Sequence, residues 1–307
     1  MLINRMLKMD LMPNLFMIGA PKCGTTSLYH WIRQHPDIYM TEDKEPAFFD
    51  EDAHYCKGIE YYAQRYFGRA GGCRIRGEAT QSYLYRVHPV AERIREDIGT
   101  AVRFVVVLRD PVERLWSHYL HMVRRGSETL PIREALAAEE ERLASGSRAW
   151  INYYSGGLYA QQLEAWFEFF PRERFLILKT DELREAPISA CKKVFIFLGV
   201  DREFEPDVSV RKNEAAAARI PLLAAMFNRE NAITGRLKHL VPFPLRKRIR
   251  DVVNEFNVKD LPESERVLDP VLEAELRERY VPAIEELERL LGWDLEKWKA
   301  GDAAPAF

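Results

Sequence analysis

Two glycines with four residues between them, Gly19 and Gly24, enclose Ala20-Pro21-Lys22-Cys23 and lead into Thr25-Thr26-Ser27. Glycines at that spacing let a loop turn its backbone N–H groups toward an anion. A helix opening just beyond adds the favourable end of its dipole. The spacing matches the G-x-x-x-x-G phosphate loop of ATP- and GTP-binding proteins, but that loop carries its lysine directly after the second glycine. Here Thr25 occupies that place and the lysine, Lys22, lies inside the loop. A lysine so placed leans over a phosphate chain beside a bridging oxygen instead of reaching a terminal phosphate. A magnesium carboxylate at a strand end is also missing, since the apparent candidate, Asp110, follows Arg109. The competing interpretation is a glycine turn in which Lys22 and the threonines are incidental.

Arg109 and Ser117 form a second candidate group. An arginine forks bidentately onto a phosphate, and a helix rising ~1.5 Å per residue brings Ser117 about two turns in, where its hydroxyl donates to the same group. The alternative pairs Arg109 with Asp110 or Glu113 and leaves Ser117 exposed. Two anion sites at neighbouring strand ends suit one nucleotide with phosphates at both ends. Lys44-Glu45 offers a carboxylate base, with a surface turn before Phe48-Phe49 as the alternative. Histidines 30, 35, 54, 88, 118 and 121 are other bases, His118 adjoining Ser117.

The elements needed to position these groups are legible as alternating strands and helices. Leu15–Ile18 is a short apolar run before the glycine loop. Thr25–Ile32 after it places Leu28, Trp31 and Ile32 at helical spacing. Phe104–Leu108 is a continuous β-branched run, as in a strand buried on both faces, and Pro111 opens the helix that follows. A third run, Arg174–Lys179, lies between helical segments 158–170 and 186–198. This order predicts an α/β, P-loop-like three-layer fold with a central, mostly parallel sheet flanked by helices. Ligands bind such sheets outside the carboxyl ends of the strands. Residues 214–260 read as helical with a basic run at 245–250, and 270–299 as a closing amphipathic helix ending near Gly292-Trp293.

Composition narrows the function classes. The 307 residues are 47% hydrophobic and 30% charged with a formal net charge of −2, which disfavours a broad nucleic-acid surface and makes any anion site local. Four cysteines without a CxxC pair argue against zinc or a disulfide framework and for reduced thiols in a cytoplasmic protein. No stretch reaches the ~20 apolar residues of a membrane span. Residues 1–13 read as an N-terminal extension and 14–307 as a single domain. The tyrosines at 61–66, 83–85 and 153–154 either line an apolar cleft or belong to the core.

Taken together, these segments resemble the family of sulfotransferases that use 3′-phosphoadenosine 5′-phosphosulfate (PAPS). Gly19–Ser27 is similar to its 5′-phosphosulfate loop, and Arg109-Asp-Pro-Val-Glu-Arg-Leu-Trp-Ser117 to its 3′-phosphate motif. Lys44-Glu45-Pro46-Ala47-Phe48-Phe49-Asp50 resembles the glutamate segment of the heparan sulfate and related glycan branch, and Gly77–Tyr83 a substrate-cleft segment of that branch. The resemblance runs from about Leu15 to Val200. It implies nucleotide binding by Lys22, Cys23, Gly24, Thr25, Thr26, Ser27, Arg109 and Ser117, with Arg211 and Lys212 covering the nucleotide. Catalysis is implied at Glu45, as general base, and at Lys22. Contact with a small-molecule or glycan acceptor is implied at Lys44, Asp50 and Tyr83, with no metal required. The chain departs from the glycan enzymes at Ala47, where His is common, and at Ala79, where Lys is common. It also lacks the cysteine-bridged loop of the animal enzymes. A nucleotide kinase and a non-catalytic nucleotide-binding protein are the alternatives, distinguished by stabilisation with adenosine 3′,5′-bisphosphate versus ATP with magnesium.

Overall fold

The computed structural model describes residues 11–145, 151–209 and 267–301, together with the dipeptide strands Ala217–Ala218 and Val258–Lys259. The chain divides into two compact units, one from Met1–Asp110 and Tyr159–Lys212, the other from Pro111–Leu158 and Asn213–Phe307.

The first unit is built on five strands: β1 (Leu15–Gly19), β2 (Ile38–Met40), β3 (Ile75–Ala79), β4 (Arg103–Leu108) and β5 (Phe175–Lys179). All pair in parallel, in the order β2-β3-β1-β4-β5. β1 is buried along its whole length and β4 at five of its six residues, so their apolar runs are the hydrophobic centre that an inner strand requires. On one face Phe104 stacks on Phe175 at 4.7 Å between ring centroids and meets Trp166 at 5.1 Å. The Trp166 indole, wholly buried, donates to the Leu84 carbonyl at 3.2 Å. A buried indole N–H left without such an acceptor would cost stability, so this bond lets the ring serve as core.

Helices flank this sheet where the sequence predicts them, at Thr25–Ile32, Tyr159–Phe167 and Pro187–Leu198. β3 is the element the periodicity does not announce. Its sequence, Ile-Arg-Gly-Glu-Ala, mixes weak strand formers with a charge, yet it lies inside the sheet between β2 and β1. Gly77 explains the fit. A Cβ there would stand 2.6 Å from Met40 Sδ and 3.0 Å from Leu15 Cδ2, so no side chain can be accommodated between the neighbouring strands.

In the second unit the helix Pro111–Arg124 buries Val112, Arg114, Leu115, His118 and Met122. The fully buried Arg114 guanidinium donates through Nη2 to the carbonyls of Asn152 and Tyr153, which meets part of the hydrogen-bonding demand of a group that is costly inside. Tyr280, on the helix Pro270–Leu291, donates to the Tyr154 carbonyl at 2.7 Å and stacks on the Tyr154 ring. That helix ends where the sequence predicts, near Gly292-Trp293. Gly292 closes it at a φ of 66°, and a separate short helix, Glu296–Ala300, follows. The expected helical region 214–260 contains the antiparallel pair Ala217–Ala218 with Val258–Lys259, so those positions are strand. The rest of it, with Arg211, Lys212 and the basic run 245–250, lies outside the described residues. Among the described residues no helix is long and apolar enough to cross a membrane, and none of the four cysteines is in a disulfide.

Replacing Gly77 by Ala should force Met40 and Leu15 apart inside a close-packed sheet, lowering the unfolding free energy by about 1–3 kcal/mol. Urea denaturation measures this, and an unchanged midpoint would show that the space at Gly77 is not limiting.

Candidate active site

The loop between β1 and the helix Thr25–Ile32 lies at the carboxyl end of the middle strand. This is the position where the order β3-β1-β4 reverses the direction of winding, and where open parallel sheets bind ligands. Its conformation is unusual at two residues. Lys22 sits at a φ of 70° and Gly24, the N-cap of the helix, at 91°. For Gly24 the constraint is backbone rather than space, since the nearest atom to an added Cβ is Leu183 Cδ2 at 3.4 Å. The helix start bears no acidic residue in its first turn and no side-chain cap, so its N–H groups present an uncompensated positive end.

Neighbouring strands hold the loop from below. Ala20 N–H donates to the Val107 carbonyl at 2.8 Å. Thr180, directly after β5, brings its Oγ1 to 2.8 Å from the Cys23 carbonyl and 3.1 Å from the Leu108 carbonyl. Cys23 is buried, its Sγ 3.9 Å from the Tyr159 hydroxyl, which itself donates to the Arg109 carbonyl at 2.9 Å. Arg109, just past β4, directs Nη1 to the Lys22 carbonyl at 3.4 Å. Lys22, Cys23 and Arg109 are therefore brought together at one end of the sheet. Ser117 lies in the second unit, half-buried on the helix Pro111–Arg124.

The 44–50 segment reaches the same loop through a lysine. Lys44 Nζ donates to Thr26 Oγ1 at 2.6 Å and stands 3.5 Å from Glu45 Oε1. Burial lowers the Lys44 ammonium below the ordinary lysine range, and the Glu45 carboxylate partly opposes this. The Glu45 side chain is 51% exposed. Its backbone stands at a φ of 63°, and that of Ala47 at 49°. Lys22, Glu45 and Ala47 are the only non-glycine residues at positive φ among those described. Such geometry persists only where surroundings impose it, and it concentrates at functional sites.

Asp50 and Tyr83, expected at an acceptor, point inward. Asp50 is 4% exposed and accepts from Ser82 Oγ, while Tyr83 is fully buried with its hydroxyl taken by the Phe48 and Phe49 N–H groups. Tyr62, Phe67 and Tyr153 are likewise core, and Tyr61 is exposed. Sequence reading missed Thr180 and Tyr159. A Thr at the end of a strand run was the available signal for the first, and for the second the segment Gly157-Leu158-Tyr159, which resembles a further helix of the family without implying a role for the tyrosine.

A family model described as "Sulfotransferase domain" matches residues 12–215. Heparan sulfate glucosamine 3-O-sulfotransferase 6 of Mus musculus is 32% identical over 190 residues, covering 62% of this chain and 53% of that protein. Heparan sulfate glucosamine 3-O-sulfotransferase 3B1 of Mus musculus is 31% identical over 191 residues, covering 62% and 47%. The chain thus spans about half the length of the curated relatives it matches. A crystal structure of a sulfotransferase from Alicyclobacillus acidocaldarius superposes with a TM-score of 0.69 at 28% identity, over 94% of this chain and 99% of that one.

Thr180→Val keeps the shape and removes the hydroxyl that ties the loop to β4. Leaving the buried Cys23 and Leu108 carbonyls without this donor should cost about 1–3 kcal/mol, read as a lowered urea midpoint. A midpoint unchanged from wild type would mean that the clamp contributes nothing.

Proposed function

The chain belongs to the sulfotransferase domain family, and from that premise we propose that it transfers a sulfuryl group from PAPS to a hydroxyl or amine of a small-molecule, natural-product or carbohydrate acceptor. One observation carries the reading. Lys44 Nζ lies 2.6 Å from Thr26 and 3.5 Å from Glu45, so a single lysine joins the candidate base to the candidate anion loop.

The donor set suits an anionic nucleotide: an uncapped helix start, Lys22 in the turn before it and a guanidinium at the neighbouring strand end. When bound, PAPS supplies an activated sulfuryl group and a phosphate as leaving group. The N–H groups of Gly24, Thr25, Thr26 and Ser27, with the Cys23 turn beneath, hold its 5′ end. Lys22 offsets the negative charge that grows on the bridging oxygen, an electrostatic contribution that is often the largest in catalysis. Arg109 takes the 3′-phosphate, and Ser117 enters this reading through its place in the motif. Glu45, exposed on its acceptor side, removes the proton of the attacking group, and Lys44 keeps the carboxylate turned toward the loop. A sulfuryl group carries less charge than a phosphoryl group, so the reading needs no metal.

The named relatives act on heparan sulfate glucosamine, which favours a carbohydrate acceptor. Ala47 and Ala79 supply no polar side chain where the glycan enzymes carry His and Lys, so the acceptor is proposed to differ from heparan sulfate. In this reading residues 14–307 are one sulfotransferase domain. Nothing observed favours the kinase alternative, whose lysine position is held by Thr25.

Adenosine 3′,5′-bisphosphate should raise the melting temperature, and ATP with magnesium should raise it little, because only ligands that bind the folded state stabilise it. Lys22→Ala and Arg109→Ala should each reduce that shift. With labelled PAPS and an acceptor panel of glycans, phenols and amines, Glu45→Gln should lower kcat by about 10²- to 10⁴-fold while keeping the bisphosphate shift. Wild-type turnover by Glu45→Gln would remove its assignment as base.

A further inference from the structure

Behind the 45–49 segment lies a carboxylate that none of the steps above uses. Glu78, on β3, is fully buried. Three hydroxyls donate to it: Tyr62 at 2.7 Å and Tyr83 at 3.2 Å on Oε1, and Thr80 at 2.9 Å on Oε2. Two of these hydroxyls also support the loop backbone. Tyr83 accepts from the N–H groups of Phe48 and Phe49 at 3.1 Å each, and Thr80 accepts from Ala47 N–H at 3.4 Å.

A hydroxyl has one proton and two lone pairs. Because the protons of Tyr83 and Thr80 are directed at Glu78, their lone pairs are what remain to face the loop amides. An ionised carboxylate only accepts, so it fixes the direction of the whole relay from amide to hydroxyl to carboxylate. A protonated carboxyl brings a donor of its own. Where Tyr83 or Thr80 accepts that proton, it has a lone pair fewer for the backbone. The segment held this way contains Glu45 and Ala47, both at positive φ, and therefore needs an external hold.

We propose that ionised Glu78 is a positioning residue that fixes Glu45 for proton removal by orienting the Tyr83 and Thr80 hydroxyls beneath residues 47–49. This rests on the reading of Glu45 as base. Glu78 touches no reactant and acts through the peptide groups of the loop.

The groups facing Glu78 make it the one that switches near neutrality. Burial raises it to about 7 and the charge of Asp50 adds to this, against the three hydroxyl bonds that favour ionisation. Tyr62 and Tyr66, from the helix Ile59–Phe67, and Tyr83 are all held above the ordinary phenol range by burial. They keep their protons and go on donating between pH 6 and 8. Glu78 is therefore ionised, and an acceptor only, on the alkaline side of neutrality.

Peptide-resolved amide hydrogen exchange on the full chain tests this without any acceptor. After correction for intrinsic rates, protection of the 45–50 peptide at pH 8 should be about tenfold lower in Glu78→Gln, an uncharged isostere, than in the wild type, the equivalent of one buried hydrogen bond lost. Tyr83→Phe, which keeps the ring and removes the acceptor, should do the same. Glu45→Gln should retain the wild-type protection. In transfer assays with labelled PAPS and the best acceptor of the panel, Glu78→Gln should lose about tenfold in kcat at pH 8, with KM unchanged and the inflection near pH 7 gone. A Glu78→Gln variant with the wild-type exchange and pH profile would overturn the proposal. Failure of the base reading is separately visible, as normal transfer by Glu45→Gln beside wild-type exchange protection.

Discussion

A lysine at a φ of 70° and a glutamate at 63° occupy backbone that side chains with a Cβ rarely adopt. The arrangement of the first unit is the explanation of how both persist. Amides turned toward a bound anion cannot also bond one another, so a loop that offers them must be secured through its remaining backbone groups. For the 19–24 loop the securing groups come from β4, from Thr180 after β5 and from Arg109. For the 45–49 segment they come from the Ala79 carbonyl, which accepts from Glu45 N–H at 3.0 Å, and from the hydroxyls on Glu78. In both cases the parallel sheet supplies rigid strand ends on which the strained backbone rests.

Lys44 connects these two segments, and its energetics say what it is for. An ion pair at 3.5 Å to a half-exposed glutamate contributes little on its own, and burial works against the ammonium charge. The bond to Thr26 is short and buried by comparison. The value of Lys44 is therefore geometric. It fixes the distance between a carboxylate and a helix start, with electrostatic gain to follow when negative charge is present there.

The family departures fit this picture of backbone support. Ala47 and Ala79 offer no side-chain polarity, yet both carbonyls are engaged: Ala47 with His54 Nδ1 at 2.9 Å and Ala79 with Glu45 N–H. The backbone beside Glu45 is thus held at positions that carry no polar side chain.

The sequence by itself determined what local patterns can encode. The apolar runs of β1, β4 and β5, the glycine loop with its displaced lysine, and the helix beginning at Thr25 were all legible, because each depends on neighbours within a few residues. The inward placement of Asp50 and Tyr83 was not, nor were β3, Thr180 and the Glu78 relay. Gly77-Glu78-Ala79 has no strand signature until Met40 and Leu15 are packed beside it. Thr180 meets Cys23 across 157 positions of chain, and Lys44 meets Thr26 across 18. Hydrogen bonds between groups so far apart exist only once the sheet has closed. Tertiary structure alone therefore decided which buried polar atoms hold the site.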